Sequence, residues 1–129
     1  MRIDHIALWT NDLERCKRFY SKYFGANVGA RYVNEKKGFE YYFLSISDGA
    51  RIEIMKTSVL NPIGTGPGAQ RLGFTHIAIS LGSEQLVDAL TAQIKAAAYP
   101  IVDGPRRTGD GYYESVVLDP DGNRIEITA

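Results

Sequence analysis

Only one cysteine, Cys16, stands in the 129 residues, so no disulfide can close within the chain, and a reducing compartment suits it. Charge of neither sign prevails, fifteen Lys and Arg balancing fifteen Asp and Glu. No basic cluster interleaves with aromatics, which removes the electrostatic footprint of a DNA- or RNA-binding surface. Apolar runs near the ~18 residues that a bilayer crossing needs are absent, and Met1-Arg2-Ile3-Asp4-His5 opens no apolar leader. No membrane partner is therefore expected, and the default location is cytoplasmic. What remains is a 44% hydrophobic composition over a length that suits one compact domain with a core of its own.

Within that ordinary composition the chain repeats itself. His5-Ile6-Ala7 is followed about fifty residues later by Arg51-Ile52-Glu53-Ile54, and His76-Ile77-Ala78 by Arg124-Ile125-Glu126-Ile127. The two His positions are offset by 71 residues and the two Glu positions by 73, a difference that loops absorb easily. Such a match in residue type, strand phase and turn chemistry marks a duplicated supersecondary unit.

Residues 2 to 9 alternate with the period of a strand. A helix follows, capped by Asn11 or Asp12, with Glu14 placed for a capping box on Asn11 and Gly25 as the stop. Its apolar face carries Leu13, Cys16, Tyr20, Tyr23 and Phe24, with Cys16 an inert core residue. Strands are expected near 27 to 34, 38 to 47 and 50 to 56, with turns at Lys37-Gly38 and Asp48-Gly49. Residues 57 to 73, rich in Gly and Pro, read as a linker. The pattern then restarts: a strand from Phe74 to Leu81, a helix capped by Ser83 and running to about Ala97, and short strands near 100 to 103, 111 to 118 and 123 to 128. Asp119-Pro120-Asp121-Gly122 turns the chain between the last two. The fold class is α+β, two tandem βαβββ units, 1–56 and 74–129, within one domain of 129 residues, forming a curved, barrel-like mixed sheet with helices outside.

Strand phase sets His5 opposite Ile6 and Leu8, Glu53 opposite Ile52 and Ile54, His76 opposite Ile77 and Ile79, and Glu126 opposite Ile125 and Ile127. The aliphatic faces go to the helices, leaving one His or Glu near the middle of the other face of each of four strands. Taken singly, each has a plain reading: a hydrogen-bonded strand His, or a Glu paired across strands with Arg51 or Arg124. Four matched positions in two copies of one unit favour a divalent-metal site, since a solitary carboxylate on such a face is costly unless paired or bound to a cation. Two imidazoles and two carboxylates suit nickel, cobalt or zinc, with iron or manganese as further options, and leave positions open for substrate.

These two units with their His, Glu, His and Glu resemble the vicinal oxygen chelate superfamily, the glyoxalase, bleomycin-resistance and ring-cleaving dioxygenase group, across essentially the whole chain. Having all four of His5, Glu53, His76 and Glu126 is similar to the lactoylglutathione lyase (glyoxalase I) branch, as is the segment Asp110-Gly111-Tyr112-Tyr113-Glu114 through Asp119-Pro120-Asp121-Gly122-Asn123. The resemblance implies a carbon–sulfur lyase that shifts a proton in the hemithioacetal of a 2-oxoaldehyde and a thiol, by way of an enediolate. Glu126 would be the general base, and Glu53 a ligand or alternate proton carrier. Two positions depart from glutathione-using members: Trp9 stands where Arg is expected, and Thr57 where Asn is. Another thiol, or an acyl substrate, fits these departures.

Arg106 or Arg107, in the Gly-rich segment 104 to 111 read as a flexible loop, could grip a carboxylate or phosphate, or be solvated charges. Trp9, Tyr113 and the other aromatics either line a pocket or pack in the core. The resemblance also implies a homodimer, with sites within one chain or between two. Two competing functions stand beside the lyase. One is an iron-dependent dioxygenase, which the intact Glu53 disfavours because a fourth protein ligand takes a position that dioxygen or substrate needs. The other is a non-catalytic drug- or metabolite-binding resistance protein.

Overall fold

A computed structural model describes residues 4–58, 74, 76–109 and 111–129. The chain divides into two compact units, Met1–Ile63 and Gly64–Ala129. Of the expected linker, all but Thr57 and Ser58 lies outside the described residues.

In the first unit, β1 (His5–Trp9) leads into α1 (Leu13–Phe24), followed by β2 (Asn27–Val28), β3 (Tyr32–Asn34), β4 (Phe39–Ser45) and β5 (Arg51–Thr57). The sheet runs β1-β5-β4-β2, with β3 also on β4; β1 lies parallel to β5 and the other pairings are antiparallel. The expected strand near 27 to 34 is thus two short strands. Asp12, rather than Asn11, caps α1 by accepting from the Arg15 amide. That places Glu14 one residue short of a capping box, and its carboxylate instead accepts from the Tyr42 hydroxyl at 2.8 Å and pairs with Lys17 at 2.5 Å. Gly25 ends the helix at φ 63, a left-handed conformation that glycine enters without steric cost. Leu13, Cys16, Phe19, Tyr20, Tyr23 and Phe24 of α1 are buried, as are Tyr42, Leu44, Ile52 and Ile54 of the sheet it packs on.

The second unit repeats the plan. Its elements are β6 (His76–Ser80), α2 (Glu84–Ala96), β7 (Ile101–Arg107), β8 (Tyr113–Leu118) and β9 (Arg124–Thr128), in the sheet order β6-β9-β8-β7 with β6 parallel to β9. Ser83 caps α2 through the Leu86 amide. Val87, Leu90 and Ile94 of α2 are buried, as are Val117, Ile125 and Ile127. A buried hydroxyl pair joins helix to sheet: Thr91 donates to the Val87 carbonyl at 2.7 Å, so Ser115, 2.6 Å away, is the donor to Thr91. Both sheets are mixed and open, one to each unit.

The segment from Gly104 to Arg107 is a strand rather than the expected loop. Two register irregularities in β7, between Ile101 and Asp103 and between Asp103 and Arg106, let a stretch containing Gly and Pro stay paired with β8.

Candidate functional site

Each unit turns one sheet face toward its helix and the other away. On the face away from α1, the register sets Ala7 beside Glu53 and Glu53 beside Phe43. His5 lies two residues before Ala7 on that same face, diagonal to Glu53. Ala7, the register partner of Glu53, has only a methyl side chain, and His5 Nε2 lies 3.7 Å from Glu53 Oε2. The second unit has the same construction: Ala78 is the register partner of Glu126, and His76 Nε2 lies 3.2 Å from Glu126 Oε2. Glu53 keeps 13% and Glu126 22% of the side chain exposed, so both carboxylates sit close to the sheet rather than reaching into water.

Two cis ligands on an ion with bonds of 2.0–2.2 Å stand about 3 Å apart, so both pairs approach the spacing that a shared cation requires. The donors, one imidazole nitrogen and one carboxylate oxygen per pair, fit a borderline divalent metal. Each unit holds one such pair. Among the described residues no group of three or more His, Cys, Asp or Glu that could hold a metal forms.

The first pair has a further residue behind it that its sequence position did not advertise. Asp4, just before β1, places Oδ2 2.9 Å from His5 Nδ1 and 2.5 Å from an Arg51 guanidinium nitrogen. These bonds, that from His5 first and that from Arg51 second, lower the Asp4 pKa to about 2.

Trp9, in phase with His5 and register partner of Met55, is 49% exposed, which removes core packing as its explanation. Tyr32, Phe39, Tyr41 and Phe43 share its face: Tyr32 stacks on Tyr41 at 4.8 Å between ring centroids, and Phe43 meets Tyr41 edge-on at 5.3 Å. Tyr42, one residue out of phase, faces α1. Thr57 closes β5 opposite Phe39, again on the Glu53 face.

Strand alternation separates the two arginines. Arg106 pairs in register with Glu114, and Glu114 with Thr128, two residues beyond Glu126, so Arg106 lies on the Glu126 face. There it bonds Asp103 through Nε at 2.7 Å and approaches Glu114 at 3.8 Å. Arg107 and Tyr113 occupy the opposite face, where Arg107 pairs with Glu84 and the Tyr113 hydroxyl donates to Asp88 at 2.7 Å, both acceptors lying on α2. The Asp88 bond raises the Tyr113 pKa above its ordinary value.

The sequence profile of the Glyoxalase/Bleomycin resistance protein/Dioxygenase superfamily matches residues 2–127. The chain belongs to that superfamily. A relative in Bacillus subtilis (strain 168), the uncharacterized protein YqjT, is 26% identical over 132 residues, covering 97% of this chain and 96% of its own. Among solved structures, the trypanothione-dependent glyoxalase I of Leishmania major matches with a TM-score of 0.77 at 23% identity, over 99% of this chain and 86% of that one. The fosfomycin resistance protein FosX of Listeria monocytogenes matches with a TM-score of 0.70 at 24% identity, over 98% and 89%. These likenesses establish a glyoxalase-type fold, consistent with the paired βαβββ units. Superfamily members commonly depend on a divalent metal and act on small molecules. No helix among the described residues is long and apolar enough to cross a membrane.

Proposed function

We propose that this superfamily member is a divalent-metal-dependent, glyoxalase-like lyase or isomerase whose ligands are His5, Glu53, His76 and Glu126. The reading is carried by one observation: a His–Glu pair occurs at the same register position in both units, at 3.7 and 3.2 Å. Nickel, cobalt or zinc suits the donor set, with iron or manganese as further options. A bound ion would supply Lewis acidity toward two vicinal oxygens of the substrate.

The protein's own part is the proton. In the hemithioacetal of a 2-oxoaldehyde, the carbon bearing sulfur loses its proton, and the neighbouring carbonyl carbon gains one, giving a 2-hydroxyacyl thioester. Glu126 is assigned the transfer, since a carboxylate can accept the proton and return it, with Glu53 as ligand or alternate carrier. Trp9 and Thr57 flank the Glu53 face with an aromatic and a hydroxyl in place of the Arg and Asn associated with glutathione. An adduct of a thiol other than glutathione, or an acyl substrate, is expected there, and a trypanothione-dependent enzyme is among the similar structures. Arg106, on the Glu126 face, is the candidate for gripping an acidic substituent.

The aromatic row of Tyr32, Phe39, Tyr41 and Phe43 favours a second reading, a binding protein that holds a flat or apolar compound without turnover. Elemental analysis of the purified protein, followed by an ultraviolet assay of thioester formation from methylglyoxal with a panel of thiols, separates the two. One divalent ion per chain, lost in His5→Ala, and turnover with at least one thiol are expected of the enzyme. Metal without turnover would remove the lyase. Absence of metal, with binding unchanged in His5→Ala and Glu126→Ala, would leave the binding protein. We further propose a homodimer, which sedimentation equilibrium would test.

A further inference from the structure

The His5 ring is held from two directions by residues that the proposed chemistry leaves unused. Its Nδ1 faces Asp4 Oδ2 at 2.9 Å, and that same oxygen accepts from Arg51 at 2.5 Å. Arg51 is the register partner of His5 on the adjacent parallel strand, and its amide donates to the Asp4 carbonyl at 3.0 Å. Backbone and side chain thus tie Asp4 to the start of β5. The Arg51 guanidinium in turn lies 4.1 Å from the centroid of the Phe43 ring, and Phe43 meets the His5 ring nearly perpendicularly at 5.3 Å and 78°. Asp4, Arg51 and Phe43 therefore close a circuit around one imidazole.

The circuit determines which nitrogen carries the proton. A carboxylate oxygen that accepts from a guanidinium has no proton to give, so the contact with His5 requires a hydrogen on Nδ1. The neutral ring then presents its lone pair at Nε2, the nitrogen that faces Glu53. Left to itself, a histidine side chain favours the other tautomer, with the hydrogen on Nε2, which blocks that nitrogen as a donor to metal.

The geometry points to Asp4 as a positioning residue for His5: anchored by Arg51, it holds the Nδ1–H tautomer and the ring plane, and so presents Nε2 as a metal donor. The last step rests on the metal reading above, whereas the hold on the ring does not. Such outer partners of ligating imidazoles typically change metal affinity by 10–100-fold when removed.

Two measurements test this. Long-range proton–nitrogen correlation spectra of the metal-free, nitrogen-15-labelled protein report the tautomer of each of the two histidines. His5 should show Nδ1–H in the wild type and shift toward Nε2–H in Asp4→Ala, with the His76 signals unmoved as a control for folding. Cobalt(II) titration by calorimetry should then give an affinity about 10–100-fold lower in Asp4→Ala. Asp4→Asn, which keeps an acceptor oxygen but weakens the tie to Arg51, should fall between. An unchanged His5 tautomer in Asp4→Ala, or cobalt affinity within about twofold of wild type, well short of that range, would overturn the proposal. Failure of the wild type to bind cobalt would remove the metal reading, and the tautomer shift would still decide whether Asp4 holds the ring.

Discussion

A carboxylate serves as a proton carrier only if it keeps both a charge to accept the proton and a geometry that points it at the substrate. Glu126 keeps 22% of its side chain exposed and stands between Ala78 and Val116 in register, with His76 on its diagonal. Glu126→Gln preserves shape and one acceptor oxygen while removing basicity. Activity of the metal-loaded variant should therefore fall about 10²–10⁴-fold with the fold intact, read by thioester formation alongside circular dichroism. Glu53→Gln, which alters the residue proposed as ligand or alternate carrier, should cost less. Equal losses in the two variants would show that the carboxylates act as an interchangeable pair. The phase of these four residues was readable from the sequence because aliphatic residues alternate with them, Ile6 and Leu8 after His5, Ile77 and Ile79 after His76, and an Ile on each side of Glu53 and Glu126. The part of Asp4 was not, since a residue bonded through its neighbour's ring and an arginine 47 positions away leaves no local periodic trace.

At the scale of elements, each Glu of the two His–Glu pairs has a small residue, Ala7 or Ala78, as its register partner on the strand that carries the His. Replacing Ala78 by Leu would put a branched side chain beside Glu126 on an exposed stretch of β6. Thermal stability should hardly change, while metal affinity should drop by roughly the 10–100-fold that loss of ligand orientation typically costs. Unaltered affinity in calorimetry would show that the pair adjusts around the obstruction. Strand β7 depends on a different absence. Gly104 has φ +78, and a Cβ added there would stand 2.5 Å from the Glu114 carbonyl oxygen and 2.9 Å from the Ser115 Cα, both backbone atoms that cannot swing aside. Gly104→Ala should cost about 1–3 kcal/mol from the conformation alone, and more from the contact, measured by urea unfolding. The strand expected near 100 to 103 continues to Arg107, and this second part was hidden in the sequence because Gly104-Pro105 carries the signal of a turn, and the two register irregularities that keep it in the sheet are set by pairing with β8 rather than by local preference. Once a strand is granted, opposite faces for Arg106 and Arg107 follow from alternation. Helices α1 and α2, by contrast, were readable nearly to the residue, since caps, apolar spacing and Gly25 all agree.

For the molecule as a whole, the exposed ion pairs impose a direction on stability against pH. Asp4, Asp12, Glu14 and Asp103 all titrate below their ordinary values in the folded chain. The leading causes are hydrogen bonds from the His5 ring, the Arg15 amide, the Lys17 ammonium and the Arg106 guanidinium, in that order. A depressed folded pKa means that the unfolded chain takes up protons first as pH falls. The stabilisation is therefore complete above the unfolded carboxylate range and is lost progressively from about pH 5 toward pH 2. At the alkaline end the sign reverses, because Tyr113 and Lys17 titrate above their ordinary values, so their contribution is present below about pH 10 and fades beyond it. The four carboxylates are exposed, with Lys17 and Tyr113 half-buried, so each step is small and weakened by salt. Urea midpoints taken at low ionic strength should form a plateau that declines toward acid, with less decline at high salt. A midpoint constant down to about pH 3 would show that these pairs contribute nothing. The series has to be run in chelator, because protons also compete with a metal for His and Glu and would add an acid loss of their own. If the proposed site binds metal, repeating it with excess metal should steepen the acid limb, and the difference between the two curves isolates the proton–metal competition at the four proposed ligands from the ion pairs of the surface.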